Sequence, residues 1–160
     1  MKIDTKAEIF ICDDDKGLNA LIKTYLSKQG FKNISSFYTG EDTVKSADKK
    51  PIVVIQDFDL PGINGLETMK QFKEKSPDTE FIFLSGQESI KTAVDVMHNG
   101  AFDYIVKDSF APENAFHKIL KVLKIKKLST DKQSFKIGVF MFGALFVISW
   151  IIFFILFFNK

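Results

Sequence analysis

The chain contains no arginine among its 160 residues. Lysine carries all of its formal positive charge, so bidentate recognition of a phosphate or a base edge has no donor. A single cysteine, Cys12, excludes an internal disulfide; it lies in an apolar run and reads as a reduced core residue. There are two histidines. His98 sits near a helix C-terminus, where a cation is mildly favoured, and His117 stands alone on the last helix without a metal-like partner. The N-terminus, MKIDTKAEIF, lacks the long apolar stretch of a signal peptide. No internal repeat or low-complexity tract interrupts the first 128 residues.

The net charge of +2 hides an asymmetry. Residues 1–120 carry 15 Lys against 19 Asp plus Glu, whereas residues 121–136 carry six Lys against one Asp. The acidic body argues against nucleic acid as a partner. The group Lys121, Lys124, Lys126 and Lys127 fits either a solvated helix end or contact with anionic lipid. Beyond it, Ile137 to Phe158 is a run of 22 residues without charge, with Ser149 its one clearly polar side chain. About 20 apolar residues cross a bilayer core, and as a helix this run is about 33 Å long. The sequence therefore predicts a transmembrane helix at 137–158. The lysine-rich flank before it places the body in the cytoplasm, on the inner face of the cytoplasmic membrane.

Before that run, short apolar segments alternate with helical patterns. Strands are expected at 8–12, 33–38, 52–56, 80–84 and 102–106, and helices at about 17–29, 41–48, 65–75, 89–98 and 112–128. In the first helix Leu18, Leu21, Ile22, Tyr25 and Leu26 recur at the helical period. Gly30 and Gly100 read as C-terminal caps, Thr39 with Asp42 as an N-cap signal, and Pro112 as a first-turn residue. Met69, Met97 and the phenylalanines of the body read as core. Five β-α alternations imply an α/β domain with a doubly wound parallel sheet and right-handed crossovers. The domain is expected over 1–128, with a polar link at 129–136, STDKQSFK, that extends at most about 28 Å.

In such a sheet, residues just past the strand ends gather in one crevice. Asp13 and Asp14 follow EIFIC, Asp57 follows PIVVIQ, Ser85 follows EFIFL and Lys107 follows FDYIV. Like charges brought close repel and raise one another's pKa, so the acids are best tolerated around a cation. All-oxygen ligands favour a hard ion such as Mg²⁺. Asp57 is then a carboxylate nucleophile able to take a phosphoryl group. The metal and the Lys107 ammonium would neutralise the phosphoryl oxygens, and Ser85 would donate to one of them.

These residues resemble the receiver domain of two-component response regulators, the CheY-like superfamily, over roughly residues 6–128. The resemblance rests on FICDDDKG, VVIQDFDLPGINGLE, FIFLSGQE and GAFDYIVKD. It implies a five-stranded flavodoxin-like sheet of order 2-1-3-4-5. It makes Asp57 the phosphoacceptor and Asp13 and Asp14 the metal-site acids, with the Asp59 backbone carbonyl as a further metal ligand. Ser85 and Lys107 would bind the phosphoryl group. Ser85 and the aromatic Tyr104 would form the switch that alters the surface of the fourth helix, fifth strand and fifth helix. Asp59 and Gln87 occupy positions where the family tunes phosphoryl lifetime. One departure stands out. The lysine is usually followed by a cis proline, whereas Lys107 is followed by Asp108. A cis bond without proline costs about 3 kcal/mol, so the sequence leaves both isomers open. It also leaves open whether the Asp108 carboxylate points at the phosphate pocket.

The resulting expectation is a membrane-tethered receiver that is no enzyme in its own right. A histidine kinase or phosphotransfer protein would load Asp57 and a protein partner would read the surface. No DNA-binding output is expected, since the chain ends two residues past the apolar run. Two alternatives remain. One is a degenerate receiver acting as a phosphorylation-independent scaffold. The other is a phosphatase like the haloacid dehalogenases, whose DxD spacing QDFDLP reproduces, although the acidic pair precedes it and no cap domain is visible.

Overall fold

The computed structural model describes residues 5–86 and 90–158; within the latter, side chains are described except at 90–92, 131, 133–139, 146 and 152–158. The strands are β1 (Glu8–Cys12), β2 (Asn33–Phe37), β3 (Val53–Asp57), β4 (Glu80–Ser85) and β5 (Asp103–Val106). They pair in parallel in the order β2-β1-β3-β4-β5. The helices are α1 (Lys16–Lys28), α2 (Gly40–Lys45), α3 (Gly65–Lys75), α4 (Ile90–His98) and α5 (Ala111–Phe158). A 3-10 turn, Ala47–Lys49, follows α2 and ends the second helix earlier than its pattern suggests.

Alternation along the strands splits the core into two chemically different faces. Ile9, Ile11, Val53, Ile55, Ile82, Leu84 and Ile105 form an aliphatic face with Ile22 and Leu26 of α1 and Ala115, Ile119 and Val122 of α5. Phe10, Val54, Phe81 and Phe83 form an aromatic face with Met69 and Phe72 of α3 and Val96 of α4. There Phe72 meets Phe81 edge-on at 5.4 Å between centroids, a geometry that adds about 0.5–1.5 kcal/mol to the burial itself. Met69 is buried, but Met97 is 46% exposed and Phe110 61% exposed. Met97 lies one residue past Val96, which takes the core-facing position on α4, so its side chain turns outward.

The local signals explain the ends of the elements. Thr39 caps α2 by accepting from the Asp42 amide at 3.2 Å. Gly30, at φ 99°, reverses the chain after α1 in a conformation that only glycine adopts cheaply. The following Phe31 amide then returns to the Leu26 carbonyl at 3.2 Å.

The fifth helix does not stop at 128. Segment 129–136 contains neither proline nor glycine, and Ser129 and Thr130 satisfy their hydroxyls on the Lys126 carbonyl within the helix. The expected polar link is helical, and its eight residues rise about 12 Å rather than 28 Å. The chain divides into two units, Met1–Leu123 and Lys124–Lys160. In the second, Phe140, Phe142, Leu145 and Trp150 are exposed. The expected span at 137–158 falls partly on side chains outside the described residues, which leaves the stretches 140–145 and 147–151. Among the described residues no helix is long and apolar enough to cross a membrane.

Candidate functional site

The parallel sheet brings the C-terminal ends of β1, β3, β4 and β5 together. Asp57 is the last residue of β3, Ser85 the last of β4, and Asp13 and Lys107 directly follow β1 and β5. Asp13, Asp57 and Ser85 are all buried, and Asp14 is exposed. One carboxylate oxygen each from Asp13, Asp14 and Asp57 lies within 4.8 Å of the others. Lys107 Nζ stands 2.7 Å from Asp57 Oδ2 and 3.0 Å from Asp13 Oδ2.

Two acids share that one ammonium. Burial pushes the Asp57 carboxyl up to about 6, with Lys107 opposing and Asp13 reinforcing the rise. Asp13 is raised for the same first reason, burial, again against Lys107. Burial pulls Lys107 down, but its ion pairs with Asp57 and Asp13 outweigh that and hold it above the ordinary lysine range. The contact with Asp13 is an ion pair without hydrogen-bond alignment, so Asp13 Oδ2 is buried without a hydrogen-bond partner. A buried carboxylate oxygen held by an ion pair but by no hydrogen bond, among three convergent acids, fits a hard divalent cation. Asp13, Asp14 and Asp57 are the residues that would hold it.

Main-chain contacts fix the rest. The Lys107 amide donates to the Ser85 carbonyl at 2.8 Å, tying the lysine to the hydroxyl residue. Among the described residues no peptide bond is cis, so Lys107 reaches Asp57 from a trans loop. Asp108 is exposed and accepts from the Phe110 amide at 2.8 Å. It is engaged at the start of α5 and not with the acids. Asp59 also turns its side chain to solvent; only its amide reaches Asp57 Oδ1, at 3.2 Å. The second acid of QDFDLP therefore does not join the acid cluster through its side chain. Tyr104 is opposite Phe83 in the β4–β5 register and packs on the aromatic face. Its hydroxyl is buried with no hydrogen-bond partner among the described residues. Gln87 lies outside the described residues.

Several supporting residues escape motif reading. Asn19 is buried on α1 and donates to the Phe37 carbonyl at 3.0 Å and the Asp13 carbonyl at 3.4 Å. It shares a helical stripe with Ile22 and Leu26, and an amide on that stripe was the available signal. Asp13 Oδ1 accepts the Asp15 amide at 2.9 Å, and Asp15 caps α1. Glu41 of α2 accepts the Ile63 amide at 3.1 Å and so holds the β3–α3 loop. Gly65 opens α3 because a Cβ there would stand 2.2 Å from the Asp57 carbonyl oxygen.

Comparisons with known proteins agree with this geometry. The family model described as response regulator receiver domain matches residues 9–120. The chain is 34% identical to the transcriptional regulatory protein CssR of Bacillus subtilis, over 73% of this chain and 51% of that protein. It is 31% identical to the regulatory protein LuxO of Vibrio cholerae, over 74% of this chain and 26% of that protein. The chain thus spans about half or less of the length of these relatives. Among solved structures, a BeF3-activated DrrB receiver domain superposes with a TM-score of 0.67 at 28% identity, covering 74% of this chain and 98% of that one. The signal receiver domain of a putative LuxO repressor from Vibrio parahaemolyticus reaches 0.71 at 23% identity, covering 78% and 95%; at that identity the likeness shows the fold alone.

Proposed function

Since the chain belongs to the response regulator receiver domain family, we propose that it is a phosphoryl-accepting switch loaded on Asp57 by a histidine kinase or phosphotransfer protein. The observation that carries this reading is Lys107 Nζ at 2.7 Å from Asp57 Oδ2, beside the convergent oxygens of Asp13 and Asp14. An Asp57 carboxylate oxygen attacks the phosphorus of the donor. As the new O–P bond forms, the bond from phosphorus to the donor breaks and the leaving group keeps its electron pair. Bound Mg²⁺ supplies charge neutralisation for the phosphoryl oxygens. Lys107 is close enough to shift from Asp57 Oδ2 to a phosphoryl oxygen, and Ser85 donates its hydroxyl to another. The chain assists its own loading and unloading and turns over no separate substrate. Asp59 and the position of Gln87 tune the lifetime. The test is labelling from acetyl phosphate with Mg²⁺, present on wild type and absent from Asp57→Asn.

The signal leaves through Ser85 and Tyr104. Once Ser85 moves toward the phosphoryl group, the ring of Tyr104 settles behind it and biases the surface of α4, β5 and α5. Such a switch requires two states and a ligand that prefers one. The reader of that surface is a protein partner.

The chain is also tethered to the cytoplasmic membrane by residues 137–158, with residues 1–128 in the cytoplasm. Support comes from the 22-residue uncharged run, the exposed Phe140, Phe142 and Leu145, and the six Lys in residues 121–136 before the run. The tether would confine the switch near the bilayer and raise its effective concentration toward membrane-bound partners.

A further inference from the structure

Gln56 precedes the phosphoacceptor and is fully buried on β3. It lies on the same sheet face as Val54 of the aromatic core, opposite Cys12 in the β1–β3 register. Its Nε2 donates to the Asp57 carbonyl at 2.9 Å, while its Oε1 is buried without a hydrogen-bond partner among the described residues. Burying an amide with an orphaned acceptor costs stability, and an apolar side chain of similar volume would avoid that cost. An orphaned buried group in a folded protein calls for a reason. Here the reason is geometric. The Asp57 carbonyl opens the segment 57–59. The Asp59 amide at the end of that segment returns to Asp57 Oδ1, the Phe58 amide is held by the Leu84 carbonyl, and the Phe58 carbonyl accepts from the Gly65 amide. The Asp57 carbonyl lies at the entry to α3, 2.2 Å from where a Cβ on Gly65 would stand. The Gln56 amide is the side-chain donor that holds this carbonyl.

We propose that Gln56 is a positioning residue, which fixes the Asp57–Phe58 peptide and through it sets the aim of the Asp57 carboxylate and the Asp59 main chain toward Mg²⁺ and the phosphoryl group. This rests on the phosphoacceptor reading for its second half only; the Mg²⁺ half stands on the acid cluster.

The test uses the full chain, held in mild detergent, as wild type and Gln56→Met. Methionine keeps an unbranched side chain of similar size but has no donor. The melting midpoint without Mg²⁺ is expected to be equal or higher in Gln56→Met, because the orphaned Oε1 is gone. Mg²⁺ affinity, followed by NMR at the Asp59 amide, is expected to fall about tenfold, the usual scale for losing an outer-shell partner. The rate of phosphorylation from acetyl phosphate at saturating Mg²⁺ is expected to fall similarly. Unchanged Mg²⁺ affinity overturns the proposal. A melting midpoint that falls together with the affinity also overturns it, because Gln56 would then be a structural residue. In wild type the Gln56 side-chain amide resonances are expected to shift on Mg²⁺ saturation, a readout that survives if Gln56→Met does not fold; no shift overturns the proposal. If wild type takes up no phosphoryl group while Gln56→Met weakens Mg²⁺ binding, the phosphoacceptor reading fails and the positioning role stands.

Discussion

Lys107 Nζ lies 2.7 Å from Asp57 Oδ2, and the chain reaches that geometry through a trans peptide bond into Asp108. The loop is shaped instead by hydrogen bonds. Ser85 holds the Lys107 amide, Val106 holds the Asp108 amide, and the Asp108 carboxylate holds Phe110 as α5 begins. Asp108→Ala is expected to cost about 0.5–2 kcal/mol of stability, the range for losing a helix-start acceptor. Its phosphorylation rate is expected to stay near wild type, and Asp108→Asn to be nearly silent in both. Denaturant unfolding and labelling from acetyl phosphate measure the two. A large loss of labelling in Asp108→Asn would mean that the carboxylate acts in the pocket.

Asp57 makes the Mg²⁺-free protein sensitive to pH. Its carboxyl is raised from the usual carboxylate range to about 6 by burial, so it ionises more readily in the unfolded chain. Its contribution to stability is therefore greatest below about pH 4 and is lost as pH climbs through about 6. Asp13, raised for the same reason, acts with the same sign. Asp57→Asn removes the penalty and is expected to be more stable than wild type by about 1–3 kcal/mol at pH 7, an order of magnitude set by about 1.4 kcal/mol per pKa unit. The difference is expected to vanish near pH 4 and to shrink at pH 7 when Mg²⁺ is added. Thermal melts of both proteins from pH 4 to 8 check this.

The fold was readable because four of the five strands are short apolar runs, with the more polar NISSF of β2 the weaker signal, and the crossovers carry a helical period. The acids, hydroxyl and lysine were readable because they follow those runs directly. Asn19, Glu41 and Gln56 were not. Each acts through a main-chain group that tertiary structure brings to it, such as the Phe37 carbonyl for Asn19 or the Ile63 amide for Glu41, and no spacing rule marks such partners. The Lys107–Asp108 isomer was undecided in sequence for the same reason: main-chain hydrogen bonds settle it. Met97 reads as core in the sequence but is exposed in the structure, because composition cannot tell the two sides of a short helix apart.

Asn19→Leu is expected to lose about 1–3 kcal/mol, since the Asp13 carbonyl would lose the Asn19 amide and the Phe37 carbonyl would keep only the Asp13 amide. Because Asp13 is then less firmly placed, Mg²⁺ affinity is expected to fall as well. Denaturant unfolding and Mg²⁺ titration measure the two effects.

Beryllofluoride stands in for the phosphoryl group in a test of the Ser85–Tyr104 switch. NMR shifts on its addition are expected around residues 85–108 and along the first turns of α5. Ser85→Ala is expected to keep the shifts at Asp13 and Asp57 and lose those at Tyr104. Shifts confined to the acid cluster in wild type would contradict the switch.

Fractionation tests the tether. The full chain is expected in membranes after a carbonate wash, with residues 1–128 protected from protease added to intact cells. Release by carbonate, or digestion from outside, would contradict the anchoring or its orientation.

The most direct measurement is the intact mass of the full chain after incubation with acetyl phosphate, with and without Mg²⁺. The account predicts a gain of one phosphoryl group on wild type with Mg²⁺. It predicts none without Mg²⁺, where Asp13, Asp14 and Asp57 repel the incoming anion, and none on Asp57→Asn. A wild-type chain that gains no mass from acetyl phosphate or from a phosphorylated histidine kinase, or an Asp57→Asn chain that still gains it, would contradict the account.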